Sequence, residues 1–301
     1  MKTASATAKT RICFDNILYA TDFSTAAASA VPFIKKIARH FNSNILGFNV
    51  KAPIINPMTE PATWPPLVEA AKAVEEEHRQ KLREMFDGFS LDVEIVEGDI
   101  QSNLERAIRA HDTDLVVIGT HGRTGVAKLL LGSIAEEIFR TVLCPVLTVG
   151  PHSDPAKSNI KKILFATDFS SEAPAAAACA VSLAQEFQAE LTMQHVVPES
   201  KPGELQFWSE IQQSAKQSLQ NLVPEEAQAW CTPEYYVERG EPGDRILDLA
   251  KLRDVDLIVL GAKQEAGIPG AATHLEIATA HKIVSKANCP VLTVRTKRAS
   301  A

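Results

Sequence analysis

The sequence lacks a surplus of positive charge, a long apolar run and paired cysteines, and each absence removes a class of protein. Its 301 residues hold 31 Lys and Arg against 37 Asp and Glu, for a net charge of -6 and a pI near 5.8. That balance omits the basic footprint of a nucleic-acid binder. No stretch approaches the roughly 18 consecutive apolar residues of a membrane span, so no membrane partner is expected. The cysteines, Cys13, Cys144, Cys179, Cys231 and Cys289, are odd in number and far apart, with no C-x-x-C pair. Zinc and dithiol chemistry drop out, and the thiols read as small buried hydrophobes in a reducing compartment. Trp64, Trp208 and Trp230 are too scattered for a base-stacking platform and read as packing residues. The opening MKTASATAKT has no apolar segment behind its lysines and reads as a frayed cytoplasmic N-terminus, not a secretory signal.

What is present is an ordinary globular composition, 45% hydrophobic and 23% charged, long enough for about two domains. The chain repeats itself. Asn16-Ile17-Leu18-Tyr19-Ala20-Thr21-Asp22-Phe23-Ser24 returns as Lys162-Ile163-Leu164-Phe165-Ala166-Thr167-Asp168-Phe169-Ser170, at an offset of 146. Cys144-Pro145-Val146-Leu147-Thr148-Val149 returns at Cys289 with an offset of 145, and Asp114 to Gly119 is echoed by Asp256 to Gly261 at 142. Such a period is a duplicated domain, far longer than a solenoid repeat. The join falls in Gly150-Pro151-His152-Ser153-Asp154-Pro155, which gives domains of 1–150 and 151–301.

In the first copy, apolar runs at 12–20, 44–50, 91–97, 114–119 and 145–149 have the unbroken character of strands buried on both faces. Leu67, Ala71, Val74, His78, Leu82 and Met85 fall three or four apart, an apolar stripe on a helix that begins after Pro65 and Pro66. Residues 24–41 and 103–111 read as further helices, and the Glu75-Glu76-Glu77 run as a solvated helix face. Strand and helix alternating in this way predict an α/β fold: two tandem doubly wound domains, each a five-stranded parallel sheet flanked by helices.

In such a sheet, ligands collect at the carboxyl ends of the strands where the strand order reverses. The first strand ends in Ala20-Thr21-Asp22, setting a carboxylate at its tip, although Asp22 or Ser24 also suits the N-cap of the next helix. The fourth ends at Gly119 and runs into a long glycine-bearing connection, 120–133. Glycine lets backbone N–H groups approach an anion closely, and Ser133 opens a helix whose positive end faces the same space. Ser133 with Glu136, like Thr273 with Glu276, also fits a capping box. Arg123 and Lys128 read as solvated loop charges at the margin of the anion seat, and His121 as a surface group.

Gly119, two residues, Gly122, nine residues, then Gly132-Ser133 resembles the G-x2-G-x9-G-[S/T] signature of the universal stress protein family. The Ala-Thr-Asp-Phe-Ser tip and the Cys-Pro-Val-Leu-Thr-Val strand match that family in both halves. The resemblance implies an adenine nucleotide alpha hydrolase-like fold and an ATP site. In that family the aspartate after the first strand contacts the nucleoside, a valine ending the second lies near adenine, and the glycine loop holds the phosphates. Carried over, the site comprises Ala20, Thr21, Asp22, Val50, Ile118, Gly119, His121, Gly122, Arg123, Gly132, Ser133 and Ile134, with magnesium as a companion ion.

The second copy departs from the pattern. Gly261 survives, but Gln264 replaces the second glycine, and Ile277-Ala278 stand where the Gly-Ser pair belongs. ATP is therefore expected in the first half. The resemblance implies a nucleotide-responsive regulator with an unnamed protein partner. Weak ATP hydrolysis, or an adaptor with nucleotide as a permanent structural ligand, are the alternatives, since no Walker lysine motif is present. The apolar last strands, 146–149 and 291–294, are predicted to pair with each other within the chain, with a homodimer of chains implied by the family.

Overall fold

A computed structural model describes residues 12–51, 64–120, 138, 142, 144–199, 207–262 and 274–295. Ten strands form one sheet. In the first half these are β1 (Asn16–Ala20), β2 (Asn44–Lys51), β3 (Leu91–Glu97), β4 (Leu115–Gly119) and β5 (Val146–Val149). In the second they are β6 (Lys162–Thr167), β7 (Glu190–Val197), β8 (Glu234–Arg239), β9 (Leu257–Gly261) and β10 (Val291–Val294). The order across the sheet is β3-β2-β1-β4-β5-β10-β9-β6-β7-β8. Every pairing is parallel except the central one, where β5 runs antiparallel to β10 with Leu147 opposite Leu292. The expected pairing of the last strands within the chain is what the structure shows.

Helices cover both faces, which is why the strands read as unbroken apolar runs. In the first half lie α1 (Thr25–Ala28), α2 (Val31–Phe41), α3 (Trp64–Met85) and α4 (Ile100–Ala110). In the second lie α5 (Ala173–Phe187), α6 (Trp208–Asn221), α7 (Pro242–Leu252) and α8 (His274–Lys286). Each face carries an apolar layer that continues across both halves, one through Tyr19, Ile34, Leu147 and Phe165, the other through Leu18, Val116, Leu164 and Ile258.

Several boundaries differ from expectation. The run beginning at Ile12 joins the ladder only at Asn16, because Ile12 N–H instead donates to Ser182 Oγ at 2.8 Å in the other half. The helix expected over 24–41 is broken at Ser29–Ala30. Pro32 carries no N–H for the carbonyl four residues back and its ring clashes there, so the chain restarts with proline in the first turn of α2. In the second half the proline is Pro174, already at the first turn of α5, and that helix runs unbroken. α4 begins three residues before the expected start because Asp99 accepts from Ser102 N–H at 2.8 Å. Among the thiols, Cys179, Cys231 and Cys289 are buried, but Cys13 is exposed and Cys144 half-buried. Trp230 is 44% exposed and packs less than expected.

The antiparallel centre dictates the linker and the placement of the clefts. Because β5 opposes β10, its C-terminal end meets the starting ends of the second-half strands, so residues 150–161 suffice to reach β6. A Cβ on Gly150 would lie 2.4 Å from the carbonyl oxygen of Val284, so the linker hugs α8. The carboxyl ends of the two sets of parallel strands consequently point to opposite ends of the sheet.

Candidate functional site

The chain leaves β1 for β2 on one side and reaches β4 on the other, so the strand order reverses between β1 and β4, where the ends of neighbouring strands open a crevice. Ala20 pairs with Ile118 on one side and Phe48 on the other. The structure therefore gathers Ala20, Thr21, Asp22, Val50, Ile118 and Gly119 at three adjoining strand ends. His121, Gly122, Arg123, Gly132, Ser133 and Ile134 lie outside the described residues, as do Lys128 and the Ser133–Glu136 and Thr273–Glu276 capping boxes in whole or part.

The β1 tip is locked by its own polar groups. Thr21 N–H donates to Phe48 O at 2.9 Å, and buried Asn49 donates from Nδ2 to Thr21 O at 2.7 Å. Thr21 Oγ1 accepts from Phe23 N–H at 3.0 Å, and Asp22 Oδ1 accepts from Ser24 N–H at 3.0 Å. The N-cap of α1 is Ser24, whose Oγ accepts from Ala27 N–H at 3.1 Å, so Asp22 does not cap the helix. Phe23 is held at φ 61, a left-handed conformation costing a non-glycine residue roughly 1–2 kcal/mol. Its ring is stacked on His78 of α3, with centroids 4.0 Å apart, which offsets that strain. Below the tip, burial pushes the Tyr19 hydroxyl up to about 12, with Thr21 and Asp22 as its polar neighbours.

Gly119 has a structural duty. A Cβ there would stand 2.4 Å from Ala26 O and 2.8 Å from Ala27 Cα, so only glycine lets the start of α1 sit against the end of β4. Thr120 N–H is engaged by Val149 O at 3.2 Å. The amides of Thr21, Phe23, Ser24 and Thr120 all donate within the chain.

α3 is fastened beside the crevice by charge. Lys51, next to Val50, lies 2.7 Å from Glu75 and 3.6 Å from Glu97, and Arg79 reaches Glu75 at 2.9 Å. The hydrogen bond from Lys51, then that from Arg79, holds the Glu75 carboxyl below the usual range. Glu75 is thus a tie between helix and strand; Glu76 and Glu77 meet Arg83 and Lys81 on the outer face.

In the second half the same tip recurs: Phe169 sits at φ 61, Thr167 Oγ1 accepts from its N–H, and Asp168 accepts from Ser170 N–H. Its surroundings have changed. His195 replaces Asn49, with Nδ1 2.8 Å from Thr167 O, and its ring packs on Phe169 at 4.4 Å. Glu172 replaces Ala26 beside Gly261, where a Cβ would meet nothing nearer than 3.4 Å. Fully buried Gln194 replaces Phe48 and hydrogen-bonds Glu238. Ile277 and Ala278 fall within α8. Asn49, Tyr19, Ala26 and His78 were missed as site residues; Asn49, an amide in the middle of an apolar strand, and His78, the one polar member of the apolar stripe of α3, carried a visible signal. Among the described residues no group of three His, Cys, Asp or Glu is arranged to hold a metal ion, and no helix is long and apolar enough to cross a membrane.

These features define a tandem α/β protein with a topological switch point in each half. Residues 14–150 and 159–295 each match the universal stress protein family, and the chain belongs to it. It is 29% identical over 140 residues to universal stress protein MJ0531 of Methanocaldococcus jannaschii, covering 45% of this chain and 82% of that relative. Over a longer span it is 25% identical across 242 residues to universal stress protein Rv1996 of Mycobacterium tuberculosis, covering 76% of this chain and 74% of that one. A crystal structure of a universal stress protein from Archaeoglobus fulgidus superimposes with a TM-score of 0.69 at 17% identity, over 94% of this chain and 99% of the other, which shows the shared fold.

Proposed function

We propose that this chain is a nucleotide-responsive regulator of the stress response that holds ATP in its first half, residues 1–150, while the second half, 151–301, keeps the fold with a degenerate site. The observation that carries this reading is the gathering of Ala20, Thr21, Asp22, Val50, Ile118 and Gly119 at the switch point, directly before the glycine-spaced connection. Asp22 faces the nucleoside, Val50 the base, and Gly122, Gly132, Ser133 and their neighbours His121, Arg123 and Ile134 seat the phosphates, with magnesium carried on them. Nucleotide binding changes the surface shown to a protein partner, provided that ATP prefers one conformational state of the chain over another. In the second half Gln264 stands where the second glycine belongs and Ile277-Ala278 where the Gly-Ser pair belongs, so the glycine spacing that would seat a triphosphate is lost there. A cytoplasmic location belongs to the same reading.

Calorimetric titration of the full chain with ATP and magnesium is expected to give one site per chain, lost in Gly132→Val. Two equivalent sites, or unchanged affinity in that variant, would refute the assignment. Steady phosphate release that disappears in Asp22→Ala with binding intact would make the protein a slow ATPase instead.

A further inference from the structure

The two halves meet across a seam with approximate two-fold symmetry, so a residue of the first half that lies close to the axis stands near its own counterpart in the second. Phe14 and Ile160, Ile37 and Leu183, and Leu147 and Leu292 line one gap in the seam, apolar beside apolar. Above them Phe41 and Phe187 meet edge to face with centroids 5.9 Å apart. In all these pairs the counterparts are alike, as in an isologous dimer, where one patch meets itself. The pair at the next position outward is different. His40 and Glu186, again counterparts at the offset of 146, face each other with Nε2 3.5 Å from Oε2. The imidazole also rests on Phe187 at 4.4 Å and meets Phe41 edge-on at 4.8 Å, so its position is fixed by packing. Glu186 is 12% exposed.

We propose that His40 and Glu186 are the selector that makes the first half take the second half, and not a second copy of itself, as its partner across the seam. The apolar pairs do not discriminate, because exchanging one half for the other leaves apolar on apolar. At this position a seam between two first halves sets imidazole against imidazole, and one between two second halves sets carboxylate against carboxylate in a half-buried site, where like charges repel strongly. The mixed seam sets an imidazole, a cation when protonated, against a carboxylate. Residues 150–161 then give the half on the same chain a high effective concentration, so closure within the chain prevails over exchange between chains. The exposed edges that would join two molecules through β5 or β10 are thereby consumed inside one.

The test uses the full chain in four forms: wild type, His40→Glu, Glu186→His and the exchanged pair His40→Glu with Glu186→His. Thermal midpoints are measured, with the dimer share by sedimentation after refolding at high chain concentration. Each single variant is expected to lower the midpoint by about 2–4 °C and to raise the dimer share severalfold, and the exchanged pair to recover both. An exchanged pair no better than the sum of the singles, or singles indistinguishable from wild type, overturns the proposal. Recovery of the midpoint with a dimer share that never moved also overturns it, reducing the pair to a plain stabilising contact.

Discussion

Asn49 Nδ2 donates to Thr21 O at 2.7 Å, and in the other half His195 Nδ1 stands 2.8 Å from the matching Thr167 O: two different side chains hold the same carbonyl at the two strand tips. Asn49→Ala leaves that buried carbonyl short of a donor and is expected to destabilise the chain by about 1–2 kcal/mol, read as a lower urea midpoint. Asn49→His should recover most of the loss but not all, because His78 already occupies a face of Phe23. Equal midpoints for the Ala and His variants would show that the carbonyl does not need the bond.

Gly119→Ala drives a methyl group into the backbone of α1, and a shift of the helix or of β4 must follow. A loss of about 1–3 kcal/mol is expected. Gly261→Ala, with its nearest neighbour at 3.4 Å, should stay within about 0.5 kcal/mol of wild type. Denaturation curves of the two variants side by side check this, and similar losses in both would refute the account of Gly119.

Glu75 titrates below its ordinary range in the folded chain, through Lys51 and then Arg79. The unfolded chain binds a proton at higher pH than the folded chain does. The contribution is therefore present above the unfolded value, about 4.3, and fades as pH falls through the lower folded value. Glu75→Gln should lower stability at pH 7 by no more than about 1 kcal/mol, since the pair is partly solvated. Below pH 4 the gap between variant and wild type should close. A gap that persists at low pH would point to lost packing instead of lost charge.

Burial pushes the Cys179 and Cys289 thiols up to about 12, so neither yields thiolate at neutral pH. A thiol reagent added to the folded chain is expected to modify Cys13 first and Cys144 more slowly, with Cys179, Cys231 and Cys289 reacting only in denaturant. Peptide mapping after short exposure reads the order. Early modification of Cys179 would mean that α5 opens in the native state.

The strands were legible because parallel strands covered on both faces must be apolar throughout, and the duplication allowed each run to be checked against its partner. The central pairing was legible for a related reason: two bare apolar edges in one chain have each other to bury. Helix boundaries were less so. The break before α2 turns on where Pro32 falls relative to a carbonyl one turn back, and the early start of α4 on a single Asp99 bond. At the candidate site the sequence picked out Asp22 and Gly119 but not what holds them. Asn49 and Ala26 act through the tip's backbone, and His78 arrives from a helix more than fifty residues later, a neighbourhood that only the folded chain creates.

Reversal of direction at β5 and β10 gives the molecule two heads that look away from each other. The switch point beyond Asp22 lies on one rim of the ten-stranded sheet and the one beyond Asp168 on the opposite rim. One small ligand therefore cannot touch both switch points at once.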